Sequence, residues 1–128
     1  MTQGQVMDAI NVLNTICKQT MPLKLANKLF KLRQALAPAM QFQMEEEAKL
    51  MEKYPPSHQE GNQLFFDDKA IGRAFNAGLA ELAAVDSDID FSVVKIPDSV
   101  DIGIRPDEIG MLHGFVEIIE GGDENGTD

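Results

Sequence analysis

The feature that most constrains this chain is a long apolar stripe carried by residues 22–54. Leu25, Leu29, Leu32 and Leu36 recur at spacings of four, three and four, and Met40, Met44, Ala48 and Met51 continue the series. Spacings of three and four put side chains on one face of an α-helix. A helix this long spans roughly 50 Å at about 1.5 Å per residue. Pro38 stands inside it and removes the bond to the carbonyl of Gln34, so a kink or break is expected there. The preceding segment, 2–18, reads as a shorter helix. Thr2 and Gln5 form a capping box, and Val6, Ile10, Leu13 and Cys17 make its stripe. The short link from Thr20 to Pro22 turns the pair into an antiparallel helical hairpin. The first helix is too short to cover the second. Something else must cover the remainder: the C-terminal half, a second copy or a partner.

"YPPSHQEGN", residues 54–62, is the clearest break, because two prolines cannot continue a helix. "NQLFF" then suits a short strand. Residues 67–84 read as a helix capped by Asp67 or Asp68, with Ile71, Phe75, Leu79 and Leu82 as its stripe. Ile89, Phe91 and Val93 alternate with more exposed positions, as do Val100, Ile102 and Ile104, which is the period of strands with one dry face. "RPDE" opens a last helix, with Ile109, Leu112, Val116 and Ile119 as its stripe and Gly121 and Gly122 as its end. The expected fold is α+β: an N-terminal antiparallel helical hairpin (2–54), then a small antiparallel sheet with two further helices (62–120). Residues 1–120 form one domain and 121–128 a flexible acidic tail.

Charge is unevenly placed. The 128 residues carry a net −10. Residues 1–44 hold five bases and one acid, and residues 45–128 hold six bases and twenty acids. A chain polarised in this way can meet a second copy head to tail, or offer two faces to two partners. The single cysteine, Cys17, excludes an internal disulfide. No window approaches the ~20 apolar residues of a membrane span. The expected protein is soluble and intracellular.

The chemistry can be tested motif by motif. "VDSDIDFSVVKIP" begins like a calcium loop, with Asp86, Asp88 and Asp90 alternating. A calcium loop needs glycine at its sixth position and glutamate at its twelfth, and here those are Phe91 and Pro97. His58 and His113 have no histidine or cysteine at metal-ligand spacing. The phosphate-cradling, dinucleotide-binding and serine-hydrolase glycine motifs are all missing from the sequence. Glu45, Glu46 and Glu47 are consecutive, so on a helix they point three ways and do not pair. No enzyme, metal or cofactor is therefore expected. Lys24, Lys28 and Lys31 share a helix face, as a phosphate-tracking stripe would. They flank a leucine stripe in a strongly acidic chain, so nucleic acid is not the expected partner.

The order of "GQVMDAINVLNTI", "MPLKLANKLFKL", "KLMEKY", "FNAGLAELAAVDSDIDFSVVKI" and "IRPDEIGMLHGFVE" resembles a family of small uncharacterised proteins of tailed bacteriophages and prophages. The resemblance covers nearly all of residues 3–119. The family carries a tyrosine in the second helix where Ala26 or Leu29 stands here, and Pro38 is a further departure. The resemblance implies a phage source and a location in the host cytoplasm or the virion. It supplies no catalytic residues.

The function expected from these features is non-catalytic protein–protein interaction, as an assembly or accessory factor. Met40, Met44 and Met51, with Lys24, Lys28 and Lys31, form the candidate partner surface, and homo-oligomerisation through the second helix is expected. Two alternatives compete with it. One is an acidic decoy that inhibits a host nucleic-acid enzyme or defence system. The other is a small enzyme or ligand-sequestering protein whose site assembles only in three dimensions or between subunits. Titration calorimetry with calcium and with zinc should give no stoichiometric site tighter than about 10 μM, within the affinity range of calcium sites.

Overall fold

The computed structural model describes residues 1–120. The expected tail, with Gly121 and Gly122, lies outside them. Four helices and two strand pairs follow in the order α1 (Gln3–Ile16), α2 (Leu23–Lys53), β1 (His58–Glu60), β2 (Gln63–Phe65), α3 (Lys69–Ala84), β3 (Val94–Pro97), α4 (Pro106–Met111) and β4 (Val116–Ile119). The fold is mixed α+β, and α1 and α2 form the N-terminal hairpin.

Helix α1 begins as its capping box dictates. The amide of Gln5 donates to Thr2 Oγ1 at 3.2 Å, and the amide of Thr2 donates to Gln5 Oε1 at 2.8 Å. Val6, Ala9, Leu13 and Ile16 then bury completely against Leu25, Leu29, Leu32 and Leu36 of α2. Cys17 caps the helix and is half-buried beside this core. Among the described residues, the one buried polar side chain is that of Gln3. Its Nε2 donates to the carbonyl of Ala39 at 2.8 Å and to Gln43 Oε1 at 3.2 Å, so the first turn of α1 is bonded to the middle of α2.

Helix α2 runs through Pro38 without the break that was one of the two expected outcomes there. Pro38 and Gln34 both lie on the exposed side, where water can take up the carbonyl that proline leaves without a donor. The buried stripe also takes a different path after Leu36. It passes to buried Ala39 and then to half-buried Gln43, where the sequence reading placed Met40 and Met44. A true 3.6-residue period carries the stripe to 39 and 43, whereas the apolar series drifts off the core face.

Helix α3 starts at Asp68, whose Oδ1 accepts from the amides of Ala70 (2.9 Å) and Ile71 (3.4 Å). It packs on both α1 and α2. Contact with α1 is close because Gly4 lies under Ala83: a β-carbon there would sit 3.1 Å from Ala83 Cβ and 3.2 Å from its carbonyl oxygen. Contact with α2 uses Leu50, which fills the notch at Gly78. The β1–β2 hairpin joining α2 to α3 is antiparallel, with His58 opposite Phe65.

The C-terminal part differs most from the sequence reading. The strand at 89–94 lies later, at Val94–Pro97, and the alternation slips by one: Val94 and Ile96 are buried while Val93 is exposed. Ile89 and Phe91 still lie partly against the core, and the ring of Phe91 stacks on Phe115 at 5.0 Å. Val100, Ile102 and Ile104 pack on the core without joining a sheet. The last helix ends at Met111, and Val116–Ile119 is a strand parallel to β3. Gly114 adopts φ +89°, a conformation that stops a helix and that only glycine takes readily. Three β-branched residues among the next five then favour a strand.

Two substitutions separate close packing from helix propensity. Alanine is worth up to about 1 kcal/mol over glycine in a helix. Gly110→Ala in α4, where a β-carbon meets nothing within 4 Å, should raise the thermal midpoint. Gly4→Ala should lower it, because the new methyl meets Ala83. Circular dichroism melts of both variants check this. Phe115→Ala, at a fully buried ring, should cost about 3–5 kcal/mol, and the half-buried Phe91 less.

Candidate functional site

The structure separates the expected partner surface into two places. Along α2, Phe30, Ala37, Met44 and Met51 stand seven residues apart, with Arg33, Met40 and Glu47 between them. At about 100° per residue these lie round to one side of the buried stripe. Phe30 is 53% exposed and Met44 61% exposed. Met40 and Met51 are half-buried, Met40 against the edge of the core. A groove of about 430 Å³ opens along this flank between Ile10 and Asn14 of α1 and Phe30, Arg33, Ala37 and Met40 of α2. The expected methionine face is therefore a flank seam. Phe30 and Arg33 belong to it and were not singled out for it from the sequence. The heptad spacing of Phe30 to Met44 and Met51, and of Arg33 to Met40, was the signal that finds them.

The lysines fall elsewhere. Lys28 and Lys31 line a groove of about 520 Å³ between α2 and residues Phe91–Lys95, with Leu32 and Ala35 as its apolar wall. Lys95 joins them from β3. Lys24 lies outside this lining, near the start of α2. Lys24 and Lys28 each already have an interaction. Only the fold brings Lys95 to Lys31, since β3 packs on α2.

The second half of α2 is covered in part by α3, and its acids serve local contacts. Gln43 Nε2 donates to Glu47 at 2.7 Å, and Gln41 Nε2 to Glu45 at 2.9 Å. Glu46 bonds Lys49 at 2.8 Å and holds its ammonium above the usual lysine range.

Residues with chemical potential are dispersed. His58 stacks on Phe65 in the β1–β2 hairpin, with ring centroids 4.5 Å apart and planes 5° apart. His113 is exposed in the turn after α4. Among the described residues, no three His, Cys, Asp or Glu side chains gather as a metal site would require. No helix among them is long and apolar enough to cross a membrane. Asp86 forms an antiparallel bridge with Thr2, and the amide of Ser87 donates to the carbonyl of Met1 at 2.8 Å. Asp88 and Asp90 are exposed. Exposed substitutions usually change stability by less than about 0.5 kcal/mol. The double change Asp88→Asn with Asp90→Asn should therefore leave the melting curve nearly unchanged, and it should leave self-association unchanged in light scattering. No protein family model, curated protein or solved structure matches this chain.

Proposed function

We propose that this protein is a non-catalytic phage interaction protein, an assembly or accessory factor, and that the flank seam of α2 pairs with the same seam of a second copy. The observation that carries this reading is the exposure of Phe30 and Met44 on a helix face with heptad spacing. Apolar side chains at that spacing are how two helices interdigitate. Ala37, midway between Phe30 and Met44, is small enough to let two helix axes approach closely.

Charge selects the orientation. Arg33 lies at one end of the seam and Glu47 at the other. In a parallel pair each would face its own copy and repel. An antiparallel pair brings the Arg33 end of one seam to the Glu47 end of the other. The same arrangement sets the basic first third of α2, with Lys24, Lys28, Lys31 and Arg33, beside the acidic last third, with Glu45, Glu46, Glu47 and Glu52.

Light scattering after size exclusion tests the pairing. The wild type is expected to be a dimer at micromolar concentration. Met44→Glu should give a monomer with an unchanged circular dichroism spectrum. Arg33→Glu should weaken the dimer, and Arg33→Glu with Glu47→Arg should restore part of the loss. A wild-type monomer, or a Met44→Glu variant that associates as well as the wild type, overturns the reading.

A further inference from the structure

The groove between α2 and Phe91–Lys95 has a second property, which follows from the strand pairing. The amide of Val94 donates to the carbonyl of Phe115 at 3.0 Å, and that of Asp98 to Ile119 at 2.7 Å. In a parallel ladder, alternate residues turn their peptide groups to the same neighbour. Val94, Ile96 and Asp98 therefore address β4. Val93 and Lys95 present their N–H and C=O groups to the opposite side. Among the described residues the β3–β4 sheet has two strands, so that side is an open edge there. Five consecutive residues of this segment line the groove. Two of them, Val94 and Lys95, belong to β3 and the other three lead into it, so the outward edge of the strand reaches the groove at Lys95.

An open edge beside a groove is the setting for strand addition, in which main-chain bonds hold an extended peptide and flanking pockets choose its side chains. The flanks here specify the peptide. Leu32, Ala35 and Val93 offer apolar contact, while Lys31 and Lys95, both exposed, supply positive charge on the two sides. Lys28 adds to the charge while keeping the interaction that it already has. We infer that this edge accepts an extended segment of a partner protein in which acidic and apolar residues alternate. That segment pairs with Val93 and Lys95 and sets its carboxylates against Lys31 and Lys95. Single-stranded nucleic acid fits less well. The aromatic ring lining the groove, Phe91, is stacked on Phe115 and so is not offered to a base. The site is separate from the α2 seam, so it stands or falls independently of dimerisation.

The probe is a fluorescent hexapeptide of alternating glutamate and valine, titrated into the full chain. Anisotropy should report saturable binding, and the amide resonances of Val93 and Lys95 should shift more than those of β1–β2. Lys31→Glu and Lys95→Glu, at exposed positions that leave the fold intact, should each weaken binding roughly tenfold or more, as loss of a close charge pair does. A peptide of the same sequence N-methylated on every residue, which has no N–H on either edge and cannot form the ladder, should not bind. The inference is overturned by equal binding of the N-methylated peptide or of a lysine–valine peptide. It is overturned as well by shifts confined to other parts of the chain, by no binding at all, or by tighter binding of a single-stranded oligonucleotide in the same groove.

Discussion

Everything in this fold rests on the packing of α1 against the first half of α2. Val6, Leu13 and Ile16 meet Leu29 and Leu36 at full burial, and Ile96 of β3 and Phe115 of the turn before β4 complete the same core. Apolar burial has no direction, so on its own it would allow the two helices to slide by a turn. The amide of Gln3 supplies the direction. Its bond to the carbonyl of Ala39 is made at one register only, and a slipped pair would leave a buried amide without a partner, which costs about 1–3 kcal/mol.

The hairpin and the caps were legible because their causes are local. Thr2 and Gln5 fix the start of α1, Asp68 that of α3, and the leucine spacing names the buried face of α2 as far as Leu36. Beyond Leu36 the apolar series and the helical period part company, and the sequence cannot say which the fold follows. The C-terminal strands were misplaced for a related reason. Phe91, Val93 and Val94 are all apolar, so the pattern permits two registers, and the partner that chooses between them, Val116, lies 22 residues beyond Val94 (116 − 94). Ile109, Leu112, Val116 and Ile119 fit a helical spacing, yet Gly114 and the β-branched run override it. Of the candidate surface, Met44 and Lys31 could be named from the sequence. Lys95 could not, because only the fold brings it to α2.

The two surfaces draw on one helix in different ways. The seam uses side chains that the hairpin leaves outside, and its geometry follows from α2 being one continuous helix past Pro38. The β3 groove uses backbone that a two-stranded sheet leaves without a neighbour. Pro97 marks the end of that edge, since it has no N–H to offer. The positive rim of the groove joins Lys28 and Lys31 of the basic N-terminal segment to Lys95 of the acidic remainder.

The first turn of α1 is held from outside the helix. The amide of Gln3 would ordinarily be one of the donors that a helix leaves without an internal partner, but here it donates to the carbonyl of Val85 at 2.7 Å. Its exchange with solvent deuterium is therefore governed by the undocking of residues 85–87, which lie more than eighty positions along the chain. Fraying of α1 itself contributes little. One backbone proton thus reads out whether the C-terminal half is seated on the hairpin.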